Sequence, residues 1–388
     1  MASLLLAVIY LACVSLGLPD SLLGSAWPAI YQEFNAPVSY AGIVSTIISI
    51  GTVISSLMSD RLTRRLGTAK ILIISTAISV VSLVGFSFCN AFWMLCLWAI
   101  PYGLGGGSID AALNNYVALH YKSRHMNWLH SMWGIGASVG PYIMGYALTG
   151  QGWPMGYRYV AVLQFILTVI LLVSLPLWKG HGDGPQDGIS DKPLSFRQIL
   201  RIPGTKTIMV TFFCYCAVEQ TTGLWASSYL VLYRGFSEDT AANFASLFFI
   251  GITLGRILSG FLTLKFKNVQ MIHLGMGIVM CGVIALLLPL REIASLIGLM
   301  LVGLGCAPIY PCLLHSTPDH FGADKAQAIM GVQMASAYVG ICVMPPLFGL
   351  IANHISVTLL PVYLLSILIL MVGTYEKLVR SRHIIQHG

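Results

Sequence analysis

The chain has 388 residues, 56% hydrophobic and 9% charged, with a mean hydropathy of +0.80 and a formal net charge of +7. A soluble domain carries about 25% charged residues, so a surface facing water on all sides is excluded. Crossing about 30 Å of hydrocarbon takes roughly 20 apolar residues, and the length leaves room for about twelve such helices. The apolar runs are long and continuous rather than alternating, which excludes a strand barrel.

In chain order the expected spans are 3–31, 39–60, 70–89, 92–120, 127–150, 157–178, 205–233, 240–263, 269–289, 293–316, 326–352 and 357–377. Met1–Cys13 is apolar but lacks a basic n-region, so it reads as the retained start of the first span. The long polar stretch Lys179–Gly204 is a linker, flexible by composition at His181–Gly188, with a short surface helix expected at Ser195–Ile202. It separates an N-terminal six-helix bundle (1–178) from a C-terminal one (205–388). The halves echo each other at a spacing of about 200 residues. Gly103-Leu104-Gly105 returns as Gly303-Leu304-Gly305, Gly140-Pro141 loosely as Met344-Pro345, and Asp20 is matched by Glu219. The expected fold is thus an all-α membrane protein of twelve transmembrane helices in two pseudo-symmetric bundles, with any site at their interface near the midplane.

Of the 21 Lys and Arg, only Arg158, Arg234 and Arg291 fall on one side of this arrangement. The positive-inside rule makes the other side cytoplasmic, together with both termini and the linker. The net positive charge therefore reports topology and calls for no nucleic-acid partner. The nine cysteines all lie in apolar runs and show no disulfide or zinc spacing. They read as small packing residues.

Three carboxylates lie deep in spans: Asp20, Asp110 and Glu219. A charge at the bilayer centre costs about 2.5–3.5 kcal/mol on insertion scales, so such groups are expected to face a cavity and exchange a cation. Low dielectric disfavours a charged carboxyl, which suits a proton carrier, although a carboxylate beside amide oxygens can also hold sodium. Asp20, Gly24 and Trp27 fall on one helix face at i, i+4 and i+7, and Asp110 and Asn114 at i, i+4. His130, Trp133 and Gly134 form a stripe on the fifth span. Gln220, Trp225 and Tyr229 on the seventh, and Gln333 and Tyr338 on the eleventh, complete a set of amides and aromatics. Such a set suits a polyhydroxylated solute, whose C–H faces stack while its hydroxyls hydrogen-bond. Trp27, Asn114, His130, Trp133, Gln220, Trp225, Gln333 and Tyr338, with Asp20, are the expected solute contacts.

Asp60, Arg61, Arg64 and Arg65, with Arg256 as their counterpart in the second half, are expected to form a cytoplasmic ion-pair latch that breaks when the halves rock. The run Gly103–Gly107 suggests a nucleotide loop only superficially. Inside a membrane helix, small residues let backbones approach. His120 and His125 lie at a loop with no metal-ligand spacing to other residues in the sequence, so no metal is expected. No nucleophile motif or H-E-x-x-H appears, so no catalytic residue, enzyme activity or cofactor is expected beyond the coupling ion, H⁺ or Na⁺.

The Asp60-Arg61…Arg64-Arg65 stretch, with Ser56 where a glycine is usual, resembles the loop signature of the major facilitator superfamily. Within it, Gly17-Leu18-Pro19-Asp20-Ser21-Leu22-Leu23-Gly24, Asp110-Ala111-Ala112-Leu113-Asn114 and Asn127-Trp128-Leu129-His130-Ser131-Met132-Trp133-Gly134 resemble helices one, four and five of the fucose permease-like sugar transporters. The resemblance implies a solute-contacting acid at Asp20 and proton coupling at Asp110, where aspartate replaces the family's glutamate. His130 stands where the fucose transporter has glutamine. A different feature, Gly136-Ala137-Ser138-Val139-Gly140-Pro141 followed by Gly145, resembles a helix-five motif of drug antiporters. The expectation is a monomeric, multi-pass inner-membrane symporter of a sugar or similar polar solute, cation-coupled and proton-driven, working by alternating access. A multidrug or metabolite efflux antiporter and a membrane sensor that binds without flux are the alternatives.

Overall fold

The computed structural model describes residues 2–121, 123–178, 196–288 and 292–387. Among them the regular elements are helices. They are α1 (Ala2–Asp20), α2 (Leu22–Glu33), α3 (Tyr40–Leu66), α4 (Thr68–Phe86), α5 (Phe92–His120), α6 (Ser123–Leu148), α7 (Trp153–Val173) and the one-turn α8 (Leu175–Trp178). After them come α9 (Phe196–Ile199), α10 (Thr205–Arg234), α11 (Glu238–Leu262), α12 (Asn268–Leu287), α13 (Glu292–His315), α14 (Thr317–Phe321), α15 (Ala323–His354) and α16 (Leu360–His387). Most of the linker, including His181–Gly188, lies outside the described residues. The surface helix expected after it is the four-residue α9.

The first span is the pair α1 and α2, broken at Ser21 and preceded by Pro19. Among the described residues, ten spans are long and apolar enough to cross a membrane by length and composition alone. The remaining two membrane-length helices, α6 and α10, run 26 and 30 residues. Their polarity (Asn127, His130 and Ser131 in α6; Glu219, Gln220, Thr221 and Thr222 in α10) has a structural reason. Both helices pack between others at the centre of the molecule, so part of each faces protein and cavity rather than lipid. Twelve spans in two six-helix bundles result.

The sequence repeat is a packing repeat. A Cβ added at Gly51 of α3 would lie 3.2 Å from Gly103 Cα of α5, and one at Gly251 of α11 would lie 3.2 Å from Gly303 Cα of α13. The same pair of helices, 200 positions apart by numbering, is thus pressed backbone to backbone in each half. Gly107 continues the contact against Thr52, so the glycine run serves helix packing, as its place in a span implies.

The two bundles meet backbone to backbone at one end. Gly24 of α2 faces Gly223 and Leu224 of α10, Gly42 of α3 faces Pro346 of α15, and Ser39 backs onto Gly349. Pro346 has no N–H to offer the Cys342 carbonyl one turn back. Thr46 Oγ1 of α3 supplies the missing donor across the interface at 3.1 Å. On α6 the small residues face two ways. Gly136 and Gly140 rest on Leu18 of α1, whereas Gly134 and Gly145 meet Thr253 and Asn243 of α11. Close helix contact accounts for every glycine of the antiporter-like motif.

Candidate functional site

A cavity of about 790 Å³ lies between the bundles. Its walls run from Asp20, Asp110 and Glu219 down to Thr263, Asn268 and His315, which sit at the α11–α12 turn and the end of α13. The cavity therefore reaches the end of the molecule that carries the linker, while the glycine interfaces close the opposite end.

The break between α1 and α2 sets the position of Asp20. The helix stops at Asp20 itself, so its carboxylate projects from deep within the protein into the cavity. Tyr102 of α5 donates its hydroxyl to Asp20 Oδ1 at 2.9 Å, and Trp133 of α6 donates Nε1 to Oδ2 at 2.9 Å. Three helices thereby converge on one carboxylate. Asp110 accepts from Asn114 Nδ2 at 2.9 Å, the i, i+4 pairing expected from the sequence, while Asn114 Oδ1 is buried without a hydrogen-bond partner. Glu219 accepts from Tyr215, one turn earlier on α10.

Arg256 joins the halves. Its Nη1 donates to the His130 carbonyl of α6 at 3.0 Å, its Nη2 lies 3.9 Å from Glu219 Oε1, and its guanidinium stacks 5.1 Å above the Trp133 ring. A continuous chain results, from Tyr102 through Asp20, Trp133 and Arg256 to Glu219 and Tyr215. This corrects the expectation that Arg256 belongs to a cytoplasmic latch. It sits almost two turns before the end of α11 and points inward to the cavity. Of its expected partners, Arg65 is exposed, and the side chains of Asp60, Arg61 and Arg64 lie outside the described residues.

The structure brings Asp20, Asp110, His130, Trp133, Glu219, Gln220 and Tyr338 together around the cavity. It places other candidate contacts elsewhere. Trp27 and Trp225 are fully buried and do not line it. Trp27 Nε1 donates to Val38 O at 2.8 Å and Trp225 Nε1 to Pro345 O at 2.9 Å, so each indole pins a backbone bend near the closed end. The stripe Asp20–Gly24–Trp27 is interrupted by the helix break, which turns Gly24 and Trp27 away from the acid. Gln333 is buried beside Thr317, whose hydroxyl donates to its Oε1 at 3.1 Å. Tyr102, Tyr215, Tyr310 and Met334 line the cavity without having been expected there. The one available signal was Tyr215 lying four residues before Glu219.

The chain matches the family described as Major Facilitator Superfamily over residues 9–345. It is 20% identical over 366 residues to the glucose/mannose transporter of Bacillus subtilis, covering 92% of this chain and 90% of that one. It is 23% identical over 276 residues to bypass of stop codon protein 6 of Saccharomyces cerevisiae, covering 65% of this chain but 56% of that longer one. A crystal structure of the peptide transporter POT, in a mutant form, superposes with a TM-score of 0.79 at 14% identity, over 97% of this chain and 95% of that one.

Proposed function

The chain belongs to the major facilitator superfamily, and we propose that within it the protein is a cation-coupled, proton-driven symporter of a sugar or similar small polar solute. The observation that carries this reading is the convergence of three intramembrane carboxylates on one cavity, each already held by a protein donor. Carboxylates at that depth are expensive and are kept where they face a cavity, pair with another group or exchange a cation. The tyrosine, tryptophan and amide walls suit hydroxyl groups and C–H faces. Near full-length similarity to a glucose/mannose transporter agrees with this choice.

In the proposed cycle the solute and the cation share the cavity. The bundles then rock so that the glycine interfaces part and the linker end closes. Asp110 carries the coupling proton. Asp20, fixed by Tyr102 and Trp133, contacts the solute or shares the proton, with His130, Trp133 and Gln220 around it. By charge distribution the linker end and both termini lie on the cytoplasmic side of a cell (inner) membrane. The proposed transporter is monomeric.

The test is an uptake panel of sugars in proteoliposomes under imposed pH or sodium gradients, with Asp110→Asn alongside. The expected result is loss of gradient-driven accumulation with partial retention of energy-independent exchange. Normal concentration of solute by Asp110→Asn overturns the coupling role. Transport of lipophilic compounds without sugars favours the efflux reading.

A further inference from the structure

Among the described residues that line the cavity, Arg256 is the one Lys or Arg, and its hydrogen-bonding capacity is largely unspent. A guanidinium carries five N–H donors in a planar fork. Nη1 donates to His130 O, and Nη2 stands 3.9 Å from Glu219 Oε1, beyond hydrogen-bond reach. The Trp133 ring on one face holds the plane in place. Each acid already accepts from a protein donor, Asp20 at both oxygens and the other two at one, Asp110 from Asn114 and Glu219 from Tyr215. The cavity thus presents an oriented cationic fork with spare donors, while its anionic groups already have partners.

We infer that the solute carries a single carboxylate, which Arg256 takes bidentately, so that the substrate class is a monocarboxylated polyol such as an aldonic or uronic acid rather than a neutral sugar. The inference rests on the reading of the cavity as a polyol-transport site. Arg–carboxylate pairs are favoured in this bidentate geometry, and a lysine, being a point charge, does not reproduce them. Glu219 sits close enough to neutralise the guanidinium and too far to occupy its fork, so a solute carboxylate displaces it as the counterion. The hydroxyls of the same solute fall to Tyr102, Tyr215, Tyr310, Tyr338 and Gln220.

The experiment compares a neutral aldose with its own uronic acid in proteoliposome counterflow, with no gradient imposed. Wild-type protein is expected to exchange the acid about tenfold or more better than the aldose, the discrimination one charge-assisted pair supplies. Arg256→Gln and Arg256→Lys should both collapse that ratio, and Glu219→Gln, which removes the competing carboxylate, should raise it. Thermal-shift binding of the same two compounds to detergent-solubilised protein gives the ratio for any variant that reconstitutes poorly. Equal exchange of both sugars by wild type overturns the anion inference and leaves the sugar reading standing. A preference for the acid that survives Arg256→Gln overturns the role of Arg256. Absence of binding and exchange for both compounds brings down the inference and the sugar reading together.

Discussion

Gly24→Ala tests whether the closed end of the molecule is a gate. The added Cβ would lie 2.7 Å from Gly223 O, 2.9 Å from Leu224 O and 3.1 Å from Leu224 Cα. All three are backbone atoms of α10, so none can rotate aside as a side chain would. Relief requires α2 and α10 to separate by roughly 0.7 Å to reach ordinary van der Waals contact. Overpacking of this kind costs about 1–3 kcal/mol. If the cost falls only on the state in which these helices touch, the population of the state opened at this end rises by about 5- to 150-fold. Spin labels at Gln32→Cys and Ser237→Cys, on a background with the native cysteines replaced, bracket this end on the two bundles. The expected outcome of a pulsed-EPR measurement is growth of a longer-distance population in Gly24→Ala. An unchanged distance distribution together with a lower melting temperature would show that the contact is permanent packing, and the alternating-access argument built on it would fail.

Two tryptophan substitutions separate cavity from core. Trp133→Phe removes the donor to Asp20 Oδ2 and leaves an aromatic face under Arg256. A hydrogen bond to a charged group contributes about 1.5–3 kcal/mol, so the half-saturation concentration for counterflow should rise by at least an order of magnitude, and an unchanged value would show that Asp20 is not poised by this contact. Trp225→Phe removes the bond to Pro345 O in a fully buried setting. It should cost about 1–3 kcal/mol of stability, seen as a lower melting temperature, with solute affinity unaltered; the converse pattern would return Trp225 to the site.

The span count and the order of the two halves were legible because hydrophobic run length is a direct physical requirement of the bilayer. The acids were legible for a related reason, since an ionisable group in hydrocarbon needs a compensating environment, and all three reach the cavity. The i, i+4 logic gave the Asp110–Asn114 pair because a single regular helix carries both residues. It misled at Asp20–Gly24–Trp27, where a helix break after Pro19 changes the face. The tryptophans show what periodicity cannot supply. Trp133 lies against the cavity and Trp225 against a proline bend, and in sequence each is an aromatic near polar neighbours. Arg256 was legible as part of a repeat but not in its direction, because a long flexible side chain six residues from a helix end can turn toward lipid headgroups or toward the core. Tyr102 and Tyr310 escaped notice because their hydroxyls acquire a purpose only through residues on other helices, Asp20 and Met334, whereas Tyr215 meets Glu219 along its own helix.

The two segments of the first span answer to different partners. The inner one, α1, is clamped by the glycines of α6 within its own bundle, whereas the outer one, α2, leans on Gly223 and Leu224 of the other bundle. Asp20 occupies the joint between them. Any displacement of the outer segment must flex the chain at that point and re-aim the carboxylate relative to Tyr102 and Trp133. A movement at the closed end would thereby be converted, within a single residue, into a change in what the acid can hold.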